Sequence, residues 1–250
     1  MSESAVDVIN PKGKGRVVLL CEHASNRFPE TFGDLGLAAD DIDSHAAWDP
    51  GALALAKRLS QHLDAPLVAS TVSRLVYDCN RPPEAASATP AKSELIEVPG
   101  NAALTPAEKA RRVAEVYDPF CAAVTKVLDA RDGGTIVVTV HSFTPVYFGQ
   151  HRKVELGLLH DSDSRLVDLM LEQRTALPHR VVERNQPYGP DDGVTHSLQK
   201  HAVSRGCPNV MLELRNDLLA TPENVETIAN EILTLLIPAV EKLTNTETPK

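Results

Sequence analysis

Short apolar segments alternate along the chain with longer segments of helical period. The apolar segments are rich in Val, Ile and Leu, and several are apolar at successive positions, as strands buried on both faces should be. The predicted strands are residues 16–21, 67–70, 75–77, 135–141, 154–159, 179–182 and 209–214. Strands that alternate with helices in this way are typical of an α/β domain, in which helices cover a sheet.

Three predicted helices are marked by the residues at their first turns. Residues 50–63 place leucine and alanine on one face, with Asp49 in position to cap the first turn and a proline directly after it. Thr105 and Thr221 are each followed by a proline, and they predict helices that end near residues 129 and 243. The stretch 81–101 has no periodicity, and loops of that length are often functional.

The overall composition excludes several classes of partner. The chain has 250 residues, of which 42% are hydrophobic, and its net charge is -9 with no run of basic residues, so nucleic acid is a poor candidate. No apolar stretch approaches the roughly 20 residues of a membrane span, and the polar N-terminus does not resemble a secretory signal. We therefore expect a cytoplasmic protein with one domain, residues 1–250, whose core spans about 16–243.

The four cysteines, Cys21, Cys79, Cys121 and Cys207, are spread along the chain with no close pair. This spacing argues against a disulfide framework and against a cysteine-based zinc site, and it favours small buried thiols in a reducing compartment. Only 4% of the residues are aromatic, so no stacking platform for bases or sugars is expected. The chemistry must therefore be carried by polar side chains.

Polar side chains stand where four of the predicted strands end. His23 follows the first strand, and His141 ends the central one. Asn80 and Arg81 follow a short apolar segment, and Glu213 ends the last one. A single histidine after a strand is most often an ordinary loop or core residue. Because open α/β sheets bind ligands at the carboxyl ends of their strands, this combination nevertheless indicates a site.

The residue types at these strand ends suit the metal-assisted hydrolysis of an amide. Two imidazoles and an oxygen ligand hold Zn²⁺, a fourth position holds water, and a separate carboxylate takes the proton of that water. An arginine beside an asparagine fixes an anionic substrate through a bidentate, charge-assisted contact. The sequence therefore predicts a hydrolase of a small acidic amide.

Five segments contain these residues together with characteristic neighbours. They read Cys21-Glu-His-Ala-Ser-Asn, His45-Ala-Ala-Trp-Asp-Pro-Gly-Ala, Ser73-Arg-Leu-Val-Tyr-Asp-Cys-Asn-Arg-Pro, His141-Ser-Phe-Thr-Pro and Glu213-Leu-Arg-Asn. They resemble segments of the N-formylglutamate amidohydrolase family, and the resemblance extends over about residues 17–236. It implies a three-layer α/β fold of the phosphorylase/hydrolase-like type, similar to zinc carboxypeptidases and aspartoacylases, with a mixed, mostly parallel sheet and helices on both faces.

The resemblance also implies roles for individual residues. His23 and His141 match zinc ligands, and Glu213 matches the general base. Asn80 and Arg81 match the pair that binds the substrate carboxylate. The implied substrate is a small acidic molecule, N-formylglutamate, which is split into formate and glutamate in histidine degradation. Whether the protein forms a homo-oligomer is left open.

The third metal ligand departs from the pattern of the similar folds. Carboxypeptidases and aspartoacylases supply a glutamate three residues after the first histidine, and Asn26 stands at that position here. An amide oxygen is a poor neutral substitute for a carboxylate on Zn²⁺. Asp49 is the first alternative and His45 the second. Asp49 can instead be a helix cap, and one carboxylate can serve both roles.

Two further expectations concern the last strand and the class of function. Arg215, two residues beyond Glu213, should point to the same side of an extended segment and either orient the base or bind substrate. The alternative function is a catalytically silent protein of the same fold that holds a small carboxylate ligand. The absence of a glutamate at position 26 supports that alternative, whereas Glu213 and His141 argue against it.

Overall fold

The computed structural model describes residues 4–131 and 133–246 and contains one large sheet. The strands are β1 (Val6–Ile9), β2 (Val17–Cys21), β3 (Leu67–Ser70), β4 (Lys92–Ser93), β5 (Ile96–Glu97), β6 (Ile136–Phe143), β7 (Val146–Tyr147), β8 (Gln150–His151), β9 (Leu156–Leu159), β10 (Val182–Arg184) and β11 (Asn209–Arg215). Seven of them form the large sheet in the order β1-β3-β2-β6-β11-β9-β10. The pairs β4 with β5 and β7 with β8 form two small antiparallel hairpins.

The centre of the large sheet is parallel, and reversed strands flank it. β2 runs parallel to both β3 and β6, and β6 runs parallel to β11. β1 is antiparallel to β3, β9 is antiparallel to β11, and β10 is parallel to β9. The predicted mixed, mostly parallel sheet is confirmed. Because β2, β6 and β11 are parallel neighbours, their carboxyl ends meet at one edge of the sheet.

Helices cover the sheet on both faces. They are α1 (Ala39–Ile42), α2 (Ala52–Leu63), α3 (Pro106–Arg112), α4 (Asp118–Asp129), α5 (Arg165–Glu172) and α6 (Pro222–Thr246), and a π-helical turn, Val113–Tyr117, joins α3 to α4. α2, α5 and α6 pack in a buried cluster that includes Leu19 and Val138 of the sheet. α4 packs in a second cluster that includes Val18 and Leu20. Successive residues of β2 thus point to opposite layers, as predicted for a three-layer fold.

Most predicted elements are present, with small shifts of their ends. Six of the seven predicted strands correspond to β2, β3, β6, β9, β10 and β11, although β10 begins at Val182, where the predicted strand ends. Thr105 and Glu108 form a capping box at α3, and Thr221 accepts a hydrogen bond from the N–H of Asn224 in α6. β1 and α5, which have 4 and 8 residues, were not predicted.

The prediction of a strand at residues 75–77 is wrong, because residues 74–76 form a turn and Tyr77 belongs to no strand. Leu75, Val76 and Tyr77 are nevertheless buried. The Ser73 hydroxyl accepts the N–H of Leu75 at 3.2 Å, and the Ser73 carbonyl accepts the N–H of Val76 at 3.0 Å. An apolar turn that is buried on all sides has the composition of a buried strand, so the pattern alone does not separate the two.

Asp49 does not cap helix α2. The N-cap residue is Gly51, which has a φ of 82° and makes no side-chain capping bond. A Cβ atom at Gly51 would lie 2.4 Å from the Cβ atom of Leu219, so this close approach requires glycine. The chain therefore enters α2 two residues after Asp49, and the Asp49 carboxylate is available for other contacts.

All four cysteines are free, and Cys21, Cys79 and Cys121 are buried while Cys207 is partly exposed. Within residues 4–131 and 133–246, no helix has the length and apolar character needed to cross a membrane.

Candidate metal and catalytic site

The candidate site lies at the carboxyl ends of the central parallel strands. His23 lies two residues after the end of β2. His141 lies near the end of β6, and Glu213 lies near the end of β11. His141 and Glu213 are register partners on neighbouring strands, so their side chains leave the same face of the sheet. All three border a cavity of about 210 Å³.

Three side chains converge in the wall of this cavity. His141 Nδ1 lies 3.0 Å from Oδ2 of Asp49, His23 Nδ1 lies 3.2 Å from the same oxygen, and the two Nδ1 atoms are 3.2 Å apart. All three side chains are buried. In the part of the chain that the structure describes, this is the one group of His, Cys, Asp or Glu side chains compact enough to hold a metal ion.

This set of ligand atoms fits zinc. In a tetrahedral site with bonds of about 2.0–2.1 Å, neighbouring ligand atoms are about 3.3–3.4 Å apart, which is close to the three spacings above. Two imidazoles and a carboxylate suit Zn²⁺ and related divalent ions. Three protein ligands also leave a fourth position for water, as in catalytic zinc sites.

Asp49 is held as a carboxylate. Its Oδ2 accepts the N–H of Ser142 at 3.2 Å, and its Oδ1 lies 3.3 Å from Nη1 of Arg74. Burial raises the pKa of Asp49, but the charge of His23 and hydrogen bonds from His141 and His23 outweigh it, so the pKa lies well below its usual range. A carboxylate therefore faces the two histidines, as metal binding requires.

A buried carboxylate also contacts the Nε2 atom of each of the two histidines. His23 Nε2 lies 2.7 Å from Oδ1 of Asp78, and Arg74 Nη2 donates to the other Asp78 oxygen at 2.9 Å. His141 Nε2 lies 3.2 Å from Oε2 of Glu22. Because Nε2 of each ring faces a carboxylate, Nδ1 of each ring is left for the centre of the site.

Glu213 is a cavity carboxylate that can exchange a proton near neutral pH. It is 5% exposed and lines the cavity. Burial raises the pKa of Glu213 to about 7, with the charge of His141 opposing the rise and that of Asp49 adding to it. A carboxyl with such a pKa can both accept a proton and return it.

Asn80 and Arg81 both line the cavity, but their side chains have different partners. Asn80 Nδ2 donates to the carbonyl of Val194 at 2.6 Å, and its Oδ1 accepts the N–H of Ser197 at 2.9 Å. Arg81 Nη1 donates to the carbonyl of Asn80 at 2.8 Å. The amide of Asn80 therefore holds the segment from Val194 to Ser197, whereas the guanidinium of Arg81 contacts the Asn80 main chain at the border of the cavity.

The other two alternatives for the third ligand lie outside the triad. His45 borders the cavity, and its Nε2 lies 2.7 Å from Oε2 of Glu94. Asn26 Nδ2 donates to Oδ1 of Asp43 at 2.9 Å. Of the three residues considered from the sequence, Asp49 is the one that meets both histidines.

Arg215 is not among the residues that border the cavity. Its Nε donates to Oδ1 of Asp217 at 2.8 Å, and its Nη2 lies 3.6 Å from Oε1 of Glu155. The structure therefore does not bring Arg215 to the site, contrary to expectation, because two acids outside the cavity hold its guanidinium.

The chain is similar to known proteins over most of its length. The model of the N-formylglutamate amidohydrolase family matches residues 15–220. The chain belongs to this family. It is 49% identical to a gene product of Agrobacterium tumefaciens whose crystal structure matches it with a TM-score of 0.94 over 97% of both chains. The crystal structure of N-formylglutamate amidohydrolase from Ralstonia eutropha JMP134 has the same fold, with 19% identity and a TM-score of 0.71 over 98% of this chain and 100% of that chain. No curated protein matches the chain.

Membership of the N-formylglutamate amidohydrolase family makes the chain a hydrolase that acts on an amide bond. The resemblance found in the sequence is thereby confirmed. Family membership favours the hydrolase over the catalytically silent binding protein. Asn26 does not supply a carboxylate, but Asp49 lies beside both histidines.

Asp78, Arg74 and Glu94 are among the side chains of this amidohydrolase site that the set of predicted site residues does not include. Asp78 and Arg74 belong to the segment that also carries Asn80, so their place in that segment was a signal that could have found them. Glu94 lies in the loop 81–101, where no local pattern marks it. Its contact with His45, which lies 49 positions away in the sequence, arises only in the folded chain.

Proposed function

We propose that this amidohydrolase requires zinc and cleaves N-formylglutamate into formate and glutamate. The observation that carries the proposal is the convergence of His23 Nδ1, His141 Nδ1 and Asp49 Oδ2 in the wall of one cavity. Glu213 and Arg81 border the same cavity, so a proton acceptor and an anion-binding group face the same space.

Glu213 is the proposed general base and then the general acid. Zinc held by His23, Asp49 and His141 would polarise the formyl oxygen and lower the pKa of the attacking water. The Glu213 carboxylate accepts a proton from the water that attacks the formyl carbon. The amide nitrogen must gain a proton before it leaves as an amine, and the protonated Glu213 supplies it. In the metal-free protein burial raises the pKa of Glu213 to about 7, and burial of this kind favours a group that can take up a proton and return it.

Arg81 is the proposed contact for a carboxylate of the substrate. Its planar guanidinium offers two parallel N–H groups, which match the two oxygens of a carboxylate. Arg74 also borders the cavity, but it already donates to Asp78 and lies against Asp49. Asn80 contributes indirectly, because its amide holds the segment at Val194 that forms the neighbouring wall.

The proposal is tested by metal removal and replacement. Protein stripped with a chelator should release no formate from N-formylglutamate, and it should regain activity on addition of about one zinc per chain. Unchanged hydrolysis by the stripped protein would contradict the metal requirement. If the zinc-loaded protein cleaves other N-acylamino acids but not N-formylglutamate, the metal requirement stands and the substrate is wrong.

Replacing Arg81 by lysine should weaken substrate binding although the positive charge remains. Lysine offers a point charge instead of two parallel N–H groups, so we expect KM for N-formylglutamate to rise by about tenfold with little change in kcat. Steady-state kinetics on N-formylglutamate, and on its diamide analogue without free carboxylates, measure the effect.

Two comparisons complete the Arg81 experiment. Arg58→Lys is a matched control, since Arg58 pairs with Glu226 and does not border the cavity. The wild type should discriminate strongly against the diamide, and Arg81→Lys should lose much of that discrimination. Equal hydrolysis of both substrates by the wild type would exclude a carboxylate contact.

A further inference from the structure

Glu22 is a buried carboxylate that the proposed reaction does not use. It follows β2 directly and is 1% exposed. Neither of its oxygens has a hydrogen bond of good geometry within the described residues. Its Oε2 lies 3.2 Å from Nε2 of His141, which likewise has no other partner in the part of the chain described.

The position of Glu22 follows from the register of the sheet. β2 and β6 are parallel, with Leu20 opposite Thr139. Extending this register by two residues in each of the two strands places Glu22 beside His141. On the other side, β11 places Glu213 opposite His141. His141 is therefore flanked by a carboxylate in the cavity wall and by a second one inside the protein.

His141 is the group that can compensate the buried carboxylate. A carboxylate removed from water is strongly unfavourable unless a donor or a cation compensates it. His201 and Ser197 also interact with Glu22. Burial lowers the pKa of His201 to about 4, so that ring is neutral at physiological pH. The geometry assigns the compensating N–H to Nε2 of His141, which lies 3.2 Å from Oε2 of Glu22, since the Ser197 hydroxyl makes no hydrogen bond of good geometry within the described residues.

We propose that Glu22 is a positioning residue that accepts the Nε2 proton of His141, so that in the zinc-loaded protein Nδ1 of His141 carries no proton and its electron pair is free for the metal. A neutral imidazole has one protonated nitrogen, and the partner of that nitrogen decides which one it is. Asp78 makes the equivalent contact with His23, since its Oδ1 lies 2.7 Å from Nε2 of that ring. The inference rests on the proposed zinc site, because Nδ1 needs a free electron pair only if it binds a metal.

The two histidines differ in how their outer carboxylates are supported. Asp78 also accepts hydrogen bonds from Arg74 and from the N–H of Asn80. Glu22 has no arginine or backbone donor of this kind within the described residues. Its orientation therefore depends on His141, and the effect of its loss should appear at His141 rather than elsewhere in the fold.

The test measures zinc affinity directly. The zinc dissociation constants of the wild type, Glu22→Gln and Glu22→Met are obtained by competition with a chromophoric chelator. Methionine has a similar length but cannot accept the proton well, so Glu22→Met should weaken zinc binding by about 10- to 100-fold. Glu22→Gln keeps an acceptor oxygen and should stay within a few-fold of the wild type.

Thr139→Val is the matched control. Thr139 is buried on the same strand as His141, and its hydroxyl has no partner in the described part of the chain. The substitution Thr139→Val removes a buried polar atom near the site but leaves the contact between Glu22 and His141 intact. Zinc affinity should therefore be unchanged. Wild-type affinity in Glu22→Met would overturn the proposal, and so would an equal loss in Thr139→Val.

A spectroscopic readout keeps the proposal testable if Glu22→Met does not fold. In the zinc-loaded wild type, the Nε2 proton of His141 should be observed by NMR as a strongly deshielded signal coupled to nitrogen. Its absence, or a position typical of a solvent-exposed imidazole, would overturn the role of Glu22. If the wild type binds no zinc at all, the proposed metal requirement fails instead, so the two failures are distinct.

Discussion

Replacing Glu213 by glutamine is expected to lower kcat by about two to four orders of magnitude, the usual contribution of general acid and base catalysis. Glutamine has nearly the same shape, and Glu213 is not part of the metal triad, so zinc content and KM should stay close to those of the wild type. Steady-state formate release and metal analysis of the same preparations measure both. A loss in kcat with KM unchanged identifies an interaction of the transition state.

A control carboxylate separates this effect from a general change of charge. Glu226 lies on α6 and pairs with Arg58 and His62, outside the cavity. Glu226→Gln should leave kcat unchanged. Near-normal turnover of Glu213→Gln would instead give Glu213 a purely structural role.

The stability of the same variant gives an independent readout in the metal-free protein. The pKa of Glu213 is raised by burial from 4.5 to about 7, so the group favours the folded state below the lower value and loses this contribution as the pH rises through the higher one. Glutamine does not ionise, so the Glu213→Gln variant does not lose stability in this way as the pH rises. Between about pH 5 and pH 8 its free energy of unfolding should rise relative to the wild type by about 2 kcal/mol, measured by chemical denaturation. The opposite sign would contradict the burial of a charged Glu213.

Much of the site could be predicted from the sequence, because the composition of buried strands and the direction of parallel strands both point to the same residues. Strands that are buried on both faces appear as continuous apolar runs, and the parallel strands β2, β6 and β11 bring their carboxyl ends to one edge. A polar residue at the end of such a run can therefore reach the site. His23, His141 and Glu213 satisfy this condition, and all three border the cavity.

The parts that sequence patterns missed depend on contacts between distant segments. Residues 75–77 have the composition of a buried strand, and only the hydrogen bonds of Ser73 show a turn. Arg215 has the spacing for a site residue, but Asp217 and Glu155 hold it elsewhere. Glu94, which lies in a loop without periodicity, contacts His45 at the border of the cavity. In each case the partner is not visible in the local pattern.

The choice of Asp49 over His45 as third ligand was also open in the sequence, for a local reason. Asp49 precedes a proline and a helix, and this arrangement is typical of a helix cap. The structure places the N-cap at Gly51 instead, whose positive φ turns the chain into α2. The Asp49 carboxylate then reaches His23 and His141, while His45 pairs with Glu94.

Asp49→Asn is therefore expected to abolish most zinc binding, whereas His45→Ala should retain it. Outer partners of metal ligands contribute about 10- to 100-fold to affinity, and loss of a direct ligand should exceed that range. Asparagine keeps the shape and the N–H contact from Ser142, but its neutral amide oxygen is a poor ligand for Zn²⁺. Competition with a chelator measures both affinities, and thermal unfolding of the metal-free proteins shows whether each variant folds.

The pattern across four variants distinguishes the alternatives for the third ligand. His23→Ala and His141→Ala should resemble Asp49→Asn, because each removes one of three atoms that lie within 4.8 Å of one another. Formate release should fall with zinc occupancy in all three. Zinc loss in His45→Ala with full occupancy in Asp49→Asn would reverse the assignment and would require the His45 ring to leave Glu94, 2.7 Å away, and turn into the cavity.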